Sequence, residues 1–194
     1  MMRQIIKNIP YLLLAFVLFM IVSCEKDDNK KDWGIAKIYM PQAAIVSGGT
    51  NSNYPVPWSS GNGIENYIID SIQDNINIIL GVYRSGLEDL KGYSVKITTD
   101  ADTVQQLIGD GTLSGAVPLP ADAYSLPDNI SVPDGQREKT FYLTVSRKTL
   151  VDKYASYKGK QLVLAVKITD PSSYELNPSL STTIVIIDSK AFMP

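Results

Sequence analysis

The sequence predicts an all-β fold: a β-sandwich of six to eight short strands, most simply connected as a Greek key. Large β-forming residues alternate with polar residues along several segments, which is the periodicity of strands with one buried face. Glycine, proline, aspartate and asparagine cluster between these segments, where turns require them. Helical periodicity is weak, so we expect one or two short helical turns and no long helix.

The expected strands follow one another from residue 35 to residue 187. The first covers residues 35–40 and ends at Pro41. The alternating positions of the next strands are Tyr67 and Ile69; Ile76, Ile78, Leu80 and Val82; Val95 and Ile97; Ile130 and Val132; Phe141, Leu143 and Val145; and Leu162, Leu164, Val166 and Ile168. Residues 183–187 are apolar on both faces, as in a central strand. Helical turns are expected at 103–108 and 149–157.

Residues 1–23 are typical of a secretory signal peptide. Arg3 and Lys7 precede an apolar run that ends near Val22, and no acidic residue is present. The run is shorter than the roughly 20 apolar residues that a spanning helix needs. An uncleaved membrane anchor is the alternative interpretation, which length alone does not exclude.

The single cysteine of the chain, Cys24, follows this segment directly. The residues Ile21-Val22-Ser23-Cys24 resemble the bacterial lipobox, in which a peptidase cuts just before the cysteine and the thiol receives a diacylglycerol. The resemblance implies a third acyl chain, such as palmitate, on the new amino terminus. Two or more acyl chains anchor a protein stably in a membrane. We therefore expect lipid attachment at Cys24, which also leaves no thiol for a disulfide.

Residues 25–32 include no apolar residue, and a disordered tether is expected over residues 24–33. The cluster Glu25, Lys26, Asp27 and Asp28 resembles the lipoprotein export signal of Bacteroides-type bacteria. That resemblance implies an outer-membrane lipoprotein facing the cell exterior. A solvated spacer facing the periplasm is the alternative.

Residues 34–190 are expected to form one sandwich domain. Without Arg3 and Lys7 the chain retains 16 of its 18 basic residues against 20 acidic ones, which disfavours a nucleic-acid partner. The chain has no histidine, so it lacks the commonest general base and transition-metal ligand.

The second half of the chain resembles the family called domain of unknown function number 1735. The similarity is carried by Leu119-Pro120, by Tyr124, by the turn Pro133-Asp134-Gly135 and by the two alternating strands that follow it. Residues 38–43 are similar to the first strand of that family. The resemblance implies an immunoglobulin-like Greek-key β-sandwich of about seven strands, on surface lipoproteins encoded with glycan-uptake machinery. It carries over no enzyme activity and no functional residue.

No catalytic or metal-binding motif is evident. The glutamates after residue 34, which are Glu65, Glu88, Glu138 and Glu175, are expected at turns or on the surface. Glycoside hydrolysis needs two carboxylates flanking one bond, so no enzyme is expected. Asp100 with Asp102, or Asp70 with Asp74, would suit calcium, but turn-forming aspartates explain the same pattern and no metal or other cofactor is expected.

The polar segment 50–63 is the candidate ligand site. Aromatic rings stack on the apolar faces of sugars, so Tyr54 and Trp58 would be platforms, with Asn51, Asn53 and Asn62 as hydrogen-bonding partners. In the alternative interpretation, Trp58 folds back over the open end of the sandwich. A second aromatic patch is expected at Tyr154 and Tyr157, which are flanked by lysines; a short helix packed on the sandwich explains them as well.

Two functions remain open at this level. The first is a non-catalytic surface lipoprotein that binds glycan or assists its uptake. The second is a structural module that docks on an outer-membrane transporter or on other surface lipoproteins without touching sugar. In both, the acyl chains attach the protein to the membrane.

Overall fold

The computed structural model describes residues 35–44, 52–58, 65–86 and 90–193, and within them twelve strands form two sheets. The first sheet has the order β11-β1-β4-β9-β7, with β3 also beside β4, and the second has the order β2-β12-β10-β5-β8, with β6 also beside β10. The strands are β1 (Lys37–Tyr39), β2 (Asn53–Val56), β3 (Tyr67–Asp70), β4 (Asn75–Arg84), β5 (Tyr93–Thr99), β6 (Val117–Pro118), β7 (Tyr124–Ser125), β8 (Asn129–Val132), β9 (Glu138–Ser146), β10 (Gln161–Thr169), β11 (Glu175–Leu176) and β12 (Thr182–Asp188). The predicted all-β sandwich is confirmed.

The first sheet is centred on the antiparallel pair β4 and β9, which run together from Asn75 opposite Ser146 to Tyr83 opposite Glu138. Their inward side chains alternate as the sequence predicted. Four positions of β4 are fully buried in the core between the sheets, and three positions of β9 join them: Ile76, Ile78, Leu80, Val82, Phe141, Leu143 and Val145.

Two strands of the second sheet, β10 and β12, are buried on both faces because a helix packs on their outer side. Helix α1 (Ala101–Gly109) begins where the Asp100 carboxylate accepts the Thr103 N–H at 3.0 Å. The apolar residues of α1 and of the turn after it cover β10 and β12 in a second cluster: Val104, Leu107, Ile108, Leu113, Ala116, Val163, Ala165, Ile184 and Ile186. The two-faced apolar pattern at 183–187 is thereby explained.

Two further helices lie at the end of the sandwich where β9 and β12 finish. They are α2 (Arg147–Lys153), capped by the Ser146 hydroxyl, and α3 (Ser189–Phe192), capped by the Asp188 carboxylate. Among the residues described, no helix combines the length and the apolar composition needed to cross a bilayer.

The strand count exceeds the expected number of about seven mainly because four strands give no signal in the sequence. β6, β7 and β11 have two residues each, too few to show a period of two, and β2 contains Pro55. β2 still pairs with β12 because the pairing is parallel and lies at the edge of its sheet. The sequence therefore predicts the long strands and misses those that only complete the edges.

Between β1 and β3, the edge of β4 pairs with no strand of the described residues, and two side chains and one backbone carbonyl bond to its backbone instead. The Gly81 N–H donates to the Gln42 side-chain oxygen at 3.2 Å, and the Ile79 N–H donates to the Asn66 backbone carbonyl at 3.0 Å. The Tyr54 hydroxyl donates to the Ile79 carbonyl at 3.1 Å. Gln42 and Asn66 are buried, so these bonds replace a missing strand within the core.

We expect Gly92→Ala to lower the free energy of unfolding by about 1–3 kcal/mol, because an added Cβ overpacks this site. That Cβ would lie 2.9 Å from the Val132 carbonyl oxygen and 3.0 Å from a carboxylate oxygen of Asp134. Gly109→Ala is the matched control, since a Cβ there meets nothing within 4 Å. Urea denaturation of both variants checks this; equal stabilities would contradict the close approach.

Candidate functional site

The structure separates the residues predicted to form a sugar site in segment 50–63. Tyr54 is 5% exposed and belongs to the core, so its ring is not a stacking platform, contrary to the prediction. Asn53 precedes it in β2 opposite Ile184, a residue of the cluster beneath α1. Because successive side chains of a strand point to opposite faces, Asn53 and Tyr54 do not share one surface.

Trp58 is half-buried against the core, with its ring centre 6.2 Å from that of Tyr54. Its backbone N–H donates to the Asn66 side-chain oxygen at 2.9 Å. This agrees with the alternative in which Trp58 folds back over the sandwich. Asn51 and Asn62 lie outside the described residues, as do Cys24 and the cluster Glu25, Lys26, Asp27 and Asp28.

The aspartates considered for calcium serve local structure. Asp100 caps α1, and the hydrogen bonds from Thr103 lower the pKa of its carboxyl group. Asp70 accepts the N–H groups of two turn residues, and Asp74 pairs with Arg147 at 2.8 Å. Across ranges 35–44, 52–58, 65–86 and 90–193, no group of three or more acidic, cysteine or histidine side chains is placed to hold a metal ion.

A different set of aromatic residues meets on the outer face of the first sheet. Tyr39 lies opposite Tyr83, and Tyr83 lies opposite Glu138, so three neighbouring strands place these side chains in one row. The two tyrosine ring centres are 5.3 Å apart and the rings are tilted by 53°. The strand neighbours of Tyr83, Val82 and Arg84, are buried, which leaves the ring on the outward side. We call Tyr39, Tyr83, Glu138 and Tyr142 the tyrosine face.

An open concavity of about 480 Å³ adjoins this row, lined by Tyr83, Gln136, Arg137 and Glu138. Further along β9, Tyr142 is 44% exposed on the same side as Glu138. The two residues are four positions apart, so their backbones are about 13 Å apart along the strand. The tyrosine face has aromatic rings and the Glu138 carboxylate, and the adjoining concavity adds the Gln136 amide. Together these groups extend over the width of a short oligomeric ligand.

Buried contacts fix the rim of the concavity. The carbonyl of Arg137 accepts the Arg84 N–H at 2.8 Å and the Tyr93 hydroxyl at 3.1 Å. The guanidinium of Arg84 is buried and lies 4.8 Å from the ring centre of Tyr174. Burial raises the pKa of the Tyr93 phenol, and the nearby Arg84 charge opposes that rise. The rim is therefore ordered by the core before any ligand binds.

The surroundings of Tyr39 keep its phenol neutral. Burial, and then the neighbouring Tyr83 and Glu138, raise the pKa of Tyr39 above its ordinary value. A tyrosine titrates near pH 10 without such influences, so Tyr39 stays protonated at physiological pH. Its hydroxyl can both donate and accept a hydrogen bond.

The sequence carries one indication of this face, namely tyrosines at strand positions where polar residues are expected. Tyr39, Tyr83 and Tyr142 all occupy polar-side positions of alternating strands, where solvent-facing residues are expected. Only the strand register, which pairs residues 44 and 55 positions apart, brings Tyr39, Tyr83 and Glu138 together. A period of two predicts the face of a residue but not its neighbour on the next strand.

Solved structures share the fold. A protein of unknown function from Bacteroides ovatus has 17% identity and a TM-score of 0.51, over 79% of this chain and 46% of that chain. A multidomain protein from the same species, which includes domain of unknown function number 1735, has 15% identity and a TM-score of 0.51, over 79% and 45%. An auxiliary nutrient binding protein from Bacteroides thetaiotaomicron has 22% identity and a TM-score of 0.45, over 70% and 42%.

This chain thus spans less than half the length of each of these three proteins. Identities this low show the fold alone. No curated protein matches the chain. A protein-family model described as "-like, N-terminal domain" matches residues 38–175, which is more than half of the sequence, and the chain therefore belongs to this family of N-terminal domains.

Proposed function

We propose that this protein is a non-catalytic accessory protein that binds a glycan through the tyrosine face. The observation that carries the proposal is the row of Tyr39, Tyr83 and Glu138 beside an open concavity. The rings offer stacking surfaces for the apolar C–H faces of a pyranose. Glu138 and Gln136 offer hydrogen-bonding groups for its hydroxyls.

The positions of the carboxylates support a binding role without catalysis. Glu138 lies on β9 and Glu175 on β11, and β4 and β1 lie between them. At about 4.8 Å per strand, their backbones are about 14 Å apart. In a glycosidase the two carboxylates themselves lie roughly 5–10 Å apart and flank one bond. Glu175 instead pairs with Lys37 at 3.7 Å.

The cellular location is proposed from the sequence alone. Cys24 would carry the acyl chains, and Glu25, Lys26, Asp27 and Asp28 would direct the protein to the outer face of the outer membrane. There it would present glycans to an uptake transporter. Two solved structures that share the fold come from Bacteroides ovatus, which is consistent with this location.

A docking role is the second candidate, because one hairpin exposes large apolar side chains. Ile68 is 50% exposed, Ile69 44% and Ile72 96%, all on β3 or in the turn that leads to β4. Contiguous exposed apolar residues are typical of protein contacts. Such a contact would use the β3–β4 hairpin, not the tyrosine face.

We expect Tyr83→Ala to weaken binding of a neutral polysaccharide about 5-fold, because a stacked ring of this kind contributes roughly 1 kcal/mol. Affinity electrophoresis of residues 25–194 against neutral plant and host polysaccharides identifies the ligand, and calorimetry then measures the change. Tyr124→Ala is the control, since it removes a partly buried tyrosine of β7 that belongs to neither proposed site.

Two results would contradict this site. Either no polysaccharide retards the protein, or Tyr83→Ala binds as the wild type does while both retain the same thermal midpoint. Co-purification with a transporter in detergent that survives Tyr83→Ala but is lost in Ile72→Ser would favour the docking role.

A further inference from the structure

The basic residues of this acidic chain are concentrated at one end of the sandwich. Residues 147–160 contain five of the 18 lysines and arginines but one of the 20 acidic residues, in a chain of net charge −2. The segment comprises α2, a short 3-10 helix over Ala155–Tyr157 and the turn that leads to β10. A local excess of positive charge attracts anionic ligands whatever the net charge of the whole protein.

Three of these five cations are neutralised by carboxylates. Arg147 pairs with Asp74, Lys148 pairs with Asp152, and Lys153 lies 2.7 Å from Asp122. The remaining two, Lys158 and Lys160, are exposed and have no acidic partner within the part of the chain that the structure describes. These two lysines are therefore the charges available to an incoming anion.

Two tyrosines lie beside these lysines. The ring centres of Tyr154 and Tyr157 are 5.4 Å apart, and the ammonium of Lys160 is 5.6 Å from the ring centre of Tyr157. The Tyr154 hydroxyl donates to Asp122 at 2.7 Å, which holds that ring in place. Both rings are half-buried against the core, so each keeps one side toward solvent.

A buried hydroxyl fixes the turn that carries the lysines. Ser189 is fully buried, and its hydroxyl lies 2.8 Å from the Tyr157 carbonyl and 2.7 Å from the Lys160 carbonyl. The Lys160 N–H closes the turn on the Tyr157 carbonyl at 2.9 Å, and Gly159 supplies the required positive φ of 82°. The backbone that carries Tyr157 and the two lysines is thus ordered before a ligand arrives, which reduces the entropic cost of binding.

We propose that Tyr154, Tyr157, Lys158 and Lys160, the basic tyrosine patch, bind a saccharide whose pyranose rings carry carboxylate or sulfate groups. The rings contact the apolar face of the sugar, and the two lysines pair with its anionic substituents. This site and its ligand class are separate from the neutral glycan proposed for the tyrosine face.

The position of the patch favours a saccharide over a lipid headgroup. Arg147 donates its N–H to the Asp74 carbonyl just before β4 begins, whereas β1, the first strand after the proposed anchor, pairs with the other end of β4. The ten residues of β4 span about 30 Å. The patch therefore lies at the end of the sandwich remote from β1.

The test compares a short oligomer of galacturonic acid with its methyl ester, which has the same rings without the charge. By calorimetry at low ionic strength, we expect the acid to bind and the ester to bind more weakly. The double variant Lys158→Ala/Lys160→Ala should bind the galacturonic acid oligomer about 5- to 10-fold more weakly, because two exposed charge contacts are lost. Lys96→Ala/Lys139→Ala, which removes two exposed lysines elsewhere, should leave the affinity unchanged.

A sulfated galactan oligosaccharide, which carries sulfate but no carboxylate, is tested in parallel and distinguishes sulfate from carboxylate as the preferred anion. Equal losses in the two double variants would overturn the proposal, since binding would then follow net charge alone. Binding of phosphatidylglycerol vesicles that depends on Lys158 and Lys160, with no binding of either saccharide, would overturn it in favour of a membrane contact. Tyr83→Ala should leave uronate binding intact. A negative result for neutral glycan binding at the tyrosine face can therefore be distinguished from a negative result for the basic tyrosine patch.

Discussion

Replacing Cys24 with alanine is expected to abolish lipid attachment completely. The thiol is the only one in the chain, so no other side chain can receive the diacylglycerol. The variant should incorporate no alkyne-labelled palmitate and should retain its first 23 residues, because lipoprotein cleavage follows acylation of the cysteine. Metabolic labelling followed by mass spectrometry of the amino terminus measures both effects.

Ser23→Ala is the matched control, since alanine preserves a small residue before the cut site. It should incorporate label as the wild type does. A wild-type protein that carries no label and keeps its amino terminus would show that residues 1–23 act as an uncleaved anchor, the alternative that their length leaves open. Protease treatment of intact cells then tests the outward orientation: a protein that remains fully protected would face the periplasm.

The fold was predictable where a single segment carries its own signal. Ile76, Ile78, Leu80 and Val82 alternate, and the structure buries all four completely. Residues 183–187 lack alternation because α1 covers the second face of β12. In both cases burial depends mainly on the residue's own strand, and the pattern is visible within about five residues.

The candidate site was predictable only in part, because binding surfaces depend on register between strands. The residues around Tyr54 have the composition of an exposed loop. Tyr54 nevertheless lies in an edge strand, and its hydroxyl donates to the Ile79 carbonyl, 25 residues away. The row of Tyr39, Tyr83 and Glu138 likewise needs two strand pairings to form. No local pattern encodes such pairings, whereas Tyr154 and Tyr157 are close in sequence and were identified together.

Asn66→Ala is expected to lower the free energy of unfolding by about 1–3 kcal/mol, because it removes both hydrogen bonds of a buried side chain. The Asn66 side chain donates to the Pro55 carbonyl at 2.9 Å and accepts the Trp58 N–H at 2.9 Å. It thereby joins the end of β2 to the unpaired edge of β4. Urea denaturation measures the loss, and Tyr54→Phe, which removes one hydroxyl from the same edge, should cost about 1 kcal/mol.

Asn66→Asp separates the two hydrogen bonds. The carboxylate still accepts the Trp58 N–H but cannot donate to the Pro55 carbonyl, and burial penalises its charge. The pKa of the new carboxyl group should therefore be raised in the folded state, so that folding takes up a proton. Stability of this variant relative to the wild type should rise as the pH falls from about 7 toward about 4, where the protonated acid can donate to Pro55. A variant whose relative stability does not change over that range, or an Asn66→Ala protein as stable as the wild type, would show that Asn66 does not hold β2 to β4.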